Sequence, residues 1–217
     1  MTRQQLAAPE ILDGVVVDAT PQGFAAIGDP GCAAAIWDRE PPDGLLRWID
    51  RLDTATLPRA RTVLRPDAVQ RTMTEVTAGC GMPDCDERRM LIDDVATLAQ
   101  IFAALMDAPY LRLRLDVIST NACRKFHIDS LTSRLICTYR GSSTQYGVSR
   151  EGRDPDPIHS AGIGRPIVLR GTLWPAENAP NFVHRSPPIE GTGETRLLLV
   201  LDPVIDLEEA QREEFLH

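Results

Sequence analysis

No stretch of the chain approaches eighteen consecutive apolar residues, so a transmembrane helix is not expected. The opening residues, MTRQQLAAPEILDGVVVDA, lack the apolar centre of a secretory signal, and the expected location is the cytoplasm. Aromatic residues make up only 5% of the chain, too few for a stacking platform on single-stranded nucleic acid. Basic residues are outnumbered, 23 Lys and Arg against 31 Asp and Glu. The resulting net charge of −8 disfavours nucleic acid and anionic membranes as partners, but not a small anion in a locally basic pocket. A GxxxxGK[ST] phosphate loop is missing, GIGRP at 162–166 is too short for a dinucleotide fingerprint, and there is no GxSxG elbow. Nucleotide hydrolysis therefore has no support.

Cysteine is sparse and odd in number: Cys32, Cys80, Cys85, Cys123 and Cys137. In a chain of 217 residues that argues against a disulfide framework. Cys80 and Cys85, in GCGMPDCDE, are spaced tolerably for half a zinc site, yet no second Cys or His pair follows at a matching interval. A reduced pair in a turn is the simpler alternative.

What is present is enough apolar material for one sizeable core, 43% of the chain, and it reads as a single domain over residues 1–217. Residues 1–42 read as irregular with one strand near Val15-Val16-Val17. Leu45, Leu46, Trp48, Ile49 and Leu52 recur at helical spacing behind the N-cap candidate Asp43, and residues 67–77 predict a second helix stopped by Gly79, Gly81 and Pro83. The strongest helical signal spans residues 86–107, where Met90, Leu91, Val95, Leu98, Ile101, Phe102 and Leu105 recur at intervals of three and four.

After Pro109 the grammar changes. Leu111-Arg112-Leu113-Arg114-Leu115-Asp116-Val117 alternates strictly, as a half-buried strand does. Short strand-like runs follow at Arg134–Tyr139, Gln145–Val148, Pro166–Leu169, Asn181–His184 and Arg196–Leu201, separated by turn residues, with GTGET at 191–195 reading as a hairpin turn. The expected class is α+β: a mainly helical part over 1–108 packed on a jelly-roll-like β part over 109–205. The loop at 149–166 is long enough to serve as a lid or binding loop.

The chemistry concentrates in Phe126-His127-Ile128-Asp129 and Val183-His184-Arg185. On an extended strand His127 and Asp129 point the same way. His184, 57 positions later, closes a third corner if the chain folds back. Two histidines and a carboxylate on one face form a facial triad that suits non-heme Fe(II) and leaves coordination positions open. The plainer alternative is a core-edge histidine and a turn aspartate. Arg134 and Tyr139 point to opposite faces of their strand, and either could reach a bound carboxylate; the sequence leaves open which set faces inward. Cys123 is a fourth-ligand candidate, which would favour zinc, or else a small buried residue. His159, in the Pro- and Gly-rich loop, reads as a solvated loop histidine.

The order HxD, distal His, then a basic residue resembles the Fe(II)/2-oxoglutarate-dependent dioxygenases. That resemblance implies a double-stranded β-helix, with iron on His127, Asp129 and His184 and the 2-oxoglutarate carboxylate on Arg196. A guanidinium suits that last role because it grips carboxylates bidentately. The interval of twelve from His184 to Arg196 is slightly long for the pattern. Arg185, beside a ligand, should face away. A second resemblance covers roughly residues 85–203. The runs CRKFHIDSLTSRLICTYRGSSTQY, IVLRGTLWP and VHRSPP…TRLLLVLDP are similar to a proteobacterial family, domain-of-unknown-function family 1826. Its members tend to occur near zinc-responsive genes and metallochaperone-like GTPases, which implies a link to metal homeostasis and zinc as the alternative metal. The two expectations are an oxygenase acting on a small molecule, or a non-enzymatic zinc-binding protein of the same fold. Oligomeric state is not legible.

Overall fold

The computed structural model describes residues 11–176 and 181–208, so residues 1–10 of the segment expected to be irregular lie outside the described part. Three short strands come first: β1 (Ile11–Leu12), β2 (Val15–Asp18) and β3 (Ala34–Trp37). Helix α1 (Leu45–Arg51) precedes β4 (Ala60–Leu64), then come α2 (Val69–Gly79) and α3 (Asp86–Met106). The rest is β: β5 (Tyr110–Ile118), β6 (Ser133–Arg140), β7 (Gln145–Val148), β8 (His159–Ser160), β9 (Ile167–Arg170), β10 (Phe182–Arg185) and β11 (Arg196–Val204).

Helix α3 forms where the periodicity places it. Asp86 and Glu87 occupy its first turn, where the helix dipole favours negative charge, and Asp107 closes it in a left-handed conformation at φ 48°. Leu91, Val95, Leu98 and Phe102 form its buried stripe and pack on the outer face of the large sheet. Each such side chain contributes about 1.5–3 kcal/mol by leaving water. No helix among the described residues is long and apolar enough to cross a membrane.

Eight strands form a mixed, mostly antiparallel sheet in the order β1-β2-β3-β9-β6-β11-β5-β4, and three form a second sheet, β10-β7-β8. A bridge between His127 and His184 lays the 119–132 segment along the free edge of β10. The central strands β9-β6-β11-β5 thus form one layer of a roll, and the 127 segment with β10, β7 and β8 forms the other. From β5 onward the chain crosses between the layers at every connection except β7 to β8. That is the double-stranded β-helix topology, and the α+β expectation holds.

The alternation of β6 and β11 separates two cores. Leu135, Cys137 and Tyr139, with Leu197, Leu199 and Leu201, face the helices. Ile136, Leu198 and Val200 meet Phe182 and Tyr146 from the second sheet inside the roll. Two expectations need correction. The N-terminal part contributes four strands, not one: β2, β3 and β4 extend the large sheet through pairing with distant partners, which local periodicity cannot report. And GTGET is not a hairpin turn, because β10 pairs with β7 while β11 pairs with β5 and β6. It carries the chain from one layer to the other.

Candidate metal centre

Burial alternates along β10, so Phe182 and His184 enter the roll while Val183 and Arg185 face away. Arg185, as expected, is turned outward, over the Phe126 ring at 4.3 Å. His127 and His184 exchange backbone hydrogen bonds, each 3.0 Å, which sets their rings 4.6 Å apart. Asp129 reaches back between them. Its Oδ1 lies 3.5 Å from His127 Nε2 and its Oδ2 lies 3.2 Å from His184 Nε2. One ligand atom from each residue falls within 4.8 Å of the others. The triad is assembled by a bridge between an irregular segment and β10, not by the regular strand that the HxD spacing suggests.

The 129–132 turn is held from below. Thr172 and Leu173 N–H groups donate to the Asp129 and Leu131 carbonyls at 2.9 and 3.1 Å. Gly171 permits this approach: a Cβ there would sit 1.9 Å from the Leu131 carbonyl oxygen. Arg134 Nη1 lies 2.7 Å from Asp129 Oδ1. Its Nε and Nη2 grip Asp202 bidentately at 2.6 and 2.9 Å, and Arg114 approaches the same carboxylate at 3.5 Å. Neither Gly171 nor Asp202 is marked by its local sequence.

The electrostatics suit a ligand set. Burial opposes ionisation of Asp129, but the two imidazoles and the Arg134 charge outweigh it and hold the carboxyl well below the usual range. His184, 4% exposed, is pulled down by burial despite Asp129 and is therefore neutral at pH 7. His127 is pushed up, chiefly by Asp129. Its Nδ1 lies 2.9 Å from the Lys125 carbonyl, an obligate acceptor, so in the neutral ring Nδ1 carries the proton and Nε2 offers its lone pair to the cluster. Asp129 Oδ2 is buried without a hydrogen-bond partner among the described residues, although His184 Nε2 approaches it to 3.2 Å. Two imidazole nitrogens, a carboxylate with a free oxygen and one net negative charge fit a divalent cation.

The other candidates separate. Arg196 lies inside the roll, 1% exposed, and shares a face of β11 with Leu198 and Val200. Its Nε donates to the Ser142 carbonyl at 2.6 Å, while Nη1 and Nη2 are buried without hydrogen-bond partners among the described residues. Burial pulls this guanidinium down to about 10. Arg134 faces inward too, but its fork is taken up by Asp129 and Asp202, so it is not free to hold a co-substrate. Tyr139 is a correction. It points to the helices, and its hydroxyl donates to Asp94 Oδ2 on α3 at 2.6 Å, so the sheet separates it from the triad. Cys123 is exposed, not the buried residue expected as its alternative role, whereas Cys80, with Sγ 3.1 Å from the Thr56 carbonyl, and Cys85 are half-buried; all three lie outside the triad cluster. His159 is exposed on β8 but stacks on Tyr146 at 5.5 Å, a placement its loop-like context did not suggest.

A β-roll carrying a His-Asp-His cluster defines the class. The chain belongs to the family described as "Protein of unknown function (DUF1826)", which matches residues 18–202. No curated protein matches it in sequence. Among solved structures it is similar to the dioxygenase for auxin oxidation 1 from Arabidopsis thaliana in its 2-oxoglutarate complex, with 9% identity, TM-score 0.49, and 92% of this chain and 91% of that one covered. The rice dioxygenase for auxin oxidation gives 12% identity and TM-score 0.47 over 89% and 83% of the two chains. A Pseudomonas putida prolyl-4-hydroxylase gives 14% identity and TM-score 0.34 over 77% and 97%.

Proposed function

We propose that this protein is an Fe(II)- and 2-oxoglutarate-dependent oxygenase acting on a small molecule. His127, Asp129 and His184 are the metal ligands in this reading, and Arg196 anchors the far carboxylate of the co-substrate. The observation that carries it is the pairing, in the same roll, of an open three-ligand cluster with a fully buried guanidinium whose two terminal nitrogens have no hydrogen-bond partner among the described residues. A buried charge left unpaired is unfavourable unless a ligand completes it. A dicarboxylate that chelates a metal at one end needs such a cation at the other.

Bound iron with 2-oxoglutarate supplies the oxidising chemistry. The chain's own residues do the positioning. Lys125, through its carbonyl, fixes the His127 tautomer; Arg134 keeps Asp129 ionised and aimed; the inner apolar residues exclude water. The alternative, a closed four-ligand zinc site, lacks a fourth protein ligand among the described residues, since Cys123 stands outside the cluster.

The test is anaerobic titration with Fe(II), followed by 2-oxoglutarate, in the native protein and in His184→Ala and Arg196→Met. One iron per chain and a weak visible charge-transfer band on adding 2-oxoglutarate are expected. His184→Ala should lose both, and Arg196→Met only the band. Retention of zinc with no 2-oxoglutarate binding would move the assignment to metal homeostasis.

A further inference from the structure

The inner face of the second layer carries one row of side chains across the 127 segment and the three strands beside it. His127 bridges to His184, His184 pairs with Tyr146, and Tyr146 pairs with His159. Directly paired residues of antiparallel strands share a face, and neighbouring strands lie about 4.8 Å apart. The first two members of this row are the ligands of the proposed metal centre. The other two line a cavity of about 500 Å³, whose opposite wall is β2, through Val15 and Val17. The cavity wall therefore begins one strand away from the distal imidazole. Phe182, two residues before His184 on β10, stacks on Tyr146 at 5.9 Å in the inner core of the roll.

The lining is divided in character. Val15, Val17, Val148 and the Tyr146 ring make an apolar slot, while Asp13, Asp156 and Arg150 bring charge to it. These three make no ion pair with one another, although both signs line one cavity, and among the described residues none has an ion pair or side-chain hydrogen bond. Opposite charges held apart around an apolar slot match a ligand that carries both signs on an apolar body. Gly147 fixes the enclosing loop in place: a Cβ there would lie 2.5 Å from Pro155 Cβ, so only glycine lets residues 149–158 lie against β7. The volume is within the range of small-molecule pockets, about 300–1,000 Å³.

The geometry points to this cavity as the substrate pocket, and to an apolar or aromatic α-amino acid as the substrate class, its carboxylate on Arg150, its ammonium on Asp13 and Asp156, its side chain along Tyr146 toward the metal. As a substrate assignment this rests on the oxygenase reading; as a binding site it does not. The test is calorimetric titration of the protein with L-phenylalanine, L-leucine, 2-phenylethylamine and 3-phenylpropanoate, as purified and after stripping with EDTA. The amino acids are expected to bind in both states, and the two single-charge analogues on the order of tenfold to hundredfold more weakly, the loss of one charge-assisted hydrogen bond. Arg150→Ala should weaken phenylalanine and leave the amine unchanged. Val17→Trp, at a position 54% exposed and so tolerant of bulk, should abolish binding with circular dichroism unchanged.

Equal binding of all four probes, or none, would overturn the assignment. So would binding only to metal-loaded protein, since an amino acid chelating the ion would then explain it. The two readings fail separately. Phenylalanine binding to a protein that takes up no iron keeps the pocket and removes the oxygenase; iron and 2-oxoglutarate binding without amino-acid binding does the reverse.

Discussion

Arg134 holds Asp129 by one carboxylate oxygen and leaves the other toward His184. Nη1 lies 2.7 Å from Oδ1, while Oδ2, 3.2 Å from His184 Nε2, has no hydrogen-bond partner among the described residues. The guanidinium cannot swing away, because Asp202 grips its other edge. Asp129 is thereby preset to offer a single oxygen. Arg134→Met would leave two buried carboxylates short of a cation, and breaking a buried pair in this way costs about 3–5 kcal/mol. The expected value is about 3 kcal/mol, since Arg114 partly covers Asp202. Urea unfolding measures it. Saturating divalent metal should recover part of the loss by neutralising Asp129, whereas a purely structural role would show no metal dependence. Arg134→Lys should rescue less than half, since an ammonium cannot span both carboxylates.

Arg196 makes the opposite prediction for stability. It is one of the largest fully buried side chains and, among the described residues, has a single hydrogen bond, to Ser142. Burial lowers its pKa to about 10, so folding without a ligand works against the charge. Arg196→Met keeps the volume and removes the charge. The apo protein should gain about 1–3 kcal/mol, or roughly 2–4 °C in Tm per kcal/mol for a chain of this size. On the proposed function, 2-oxoglutarate is expected to raise the Tm of the metal-loaded native protein, and this variant should lose that increase. A destabilised variant would mean that Arg196 supports the roll rather than a ligand.

Local signals carried most of the fold. The α3 stripe and the alternation of β5 are periodic within one element, and both stand within a residue or two of where the pattern places them. Strands β3, β4 and β8 were not legible, because each is defined by pairing with a segment far away in the chain. The triad was readable since His and Asp types at those positions are chemically distinctive. Its supports were not. Gly171 and Asp202 look like an ordinary turn glycine and a strand-end acid, and only the register of β9 and β11 brings them under Asp129 and Arg134. Tyr139 misled because strand parity gives two faces and does not say which one is inside.

Cys137 sets an alkaline limit on the fold. It is fully buried beside the Arg39–Asp94 pair on the helix side of β6, and burial pushes its thiol up from 9.0 to about 12. Below pH 9 both the folded and unfolded states hold this proton, and its stabilising share is fully present. Between pH 9 and 12 only the unfolded chain loses the proton, so stability falls by about 1.4 kcal/mol per pH unit from this group. Cys32, also raised by burial, adds to the fall, and Tyr139 joins it above pH 10. Unfolding curves at pH 8, 9 and 10 should show a steepening decline that is shallower in Cys137→Ala. Native Cys137 should resist thiol reagents that label the exposed Cys123.

Gly171 is the position where the backbone, not a side chain, builds the candidate metal centre. Its N–H donates to the Thr132 carbonyl at 2.9 Å, and the next two N–H groups hold Leu131 and Asp129. A methyl group at this position would lie 1.9 Å from the Leu131 carbonyl oxygen and 2.8 Å from that of Asp129. Both contacts are backbone, so no rotamer change relieves them. The turn carrying Asp129 must move, and with it the carboxylate. Gly171→Ala is therefore expected to cost about 1–3 kcal/mol in unfolding free energy through overpacking. It should also weaken metal binding about 10–100-fold, the usual effect of losing support behind a ligand. Gly28→Ala is the control: a Cβ there meets nothing within 4 Å, and its effect should stay within about 0.5 kcal/mol. Metal titration of the two variants side by side separates the outcomes. If Gly171→Ala binds metal as the native protein does, the 171–173 segment does not position Asp129, and the triad is held by Arg134 alone.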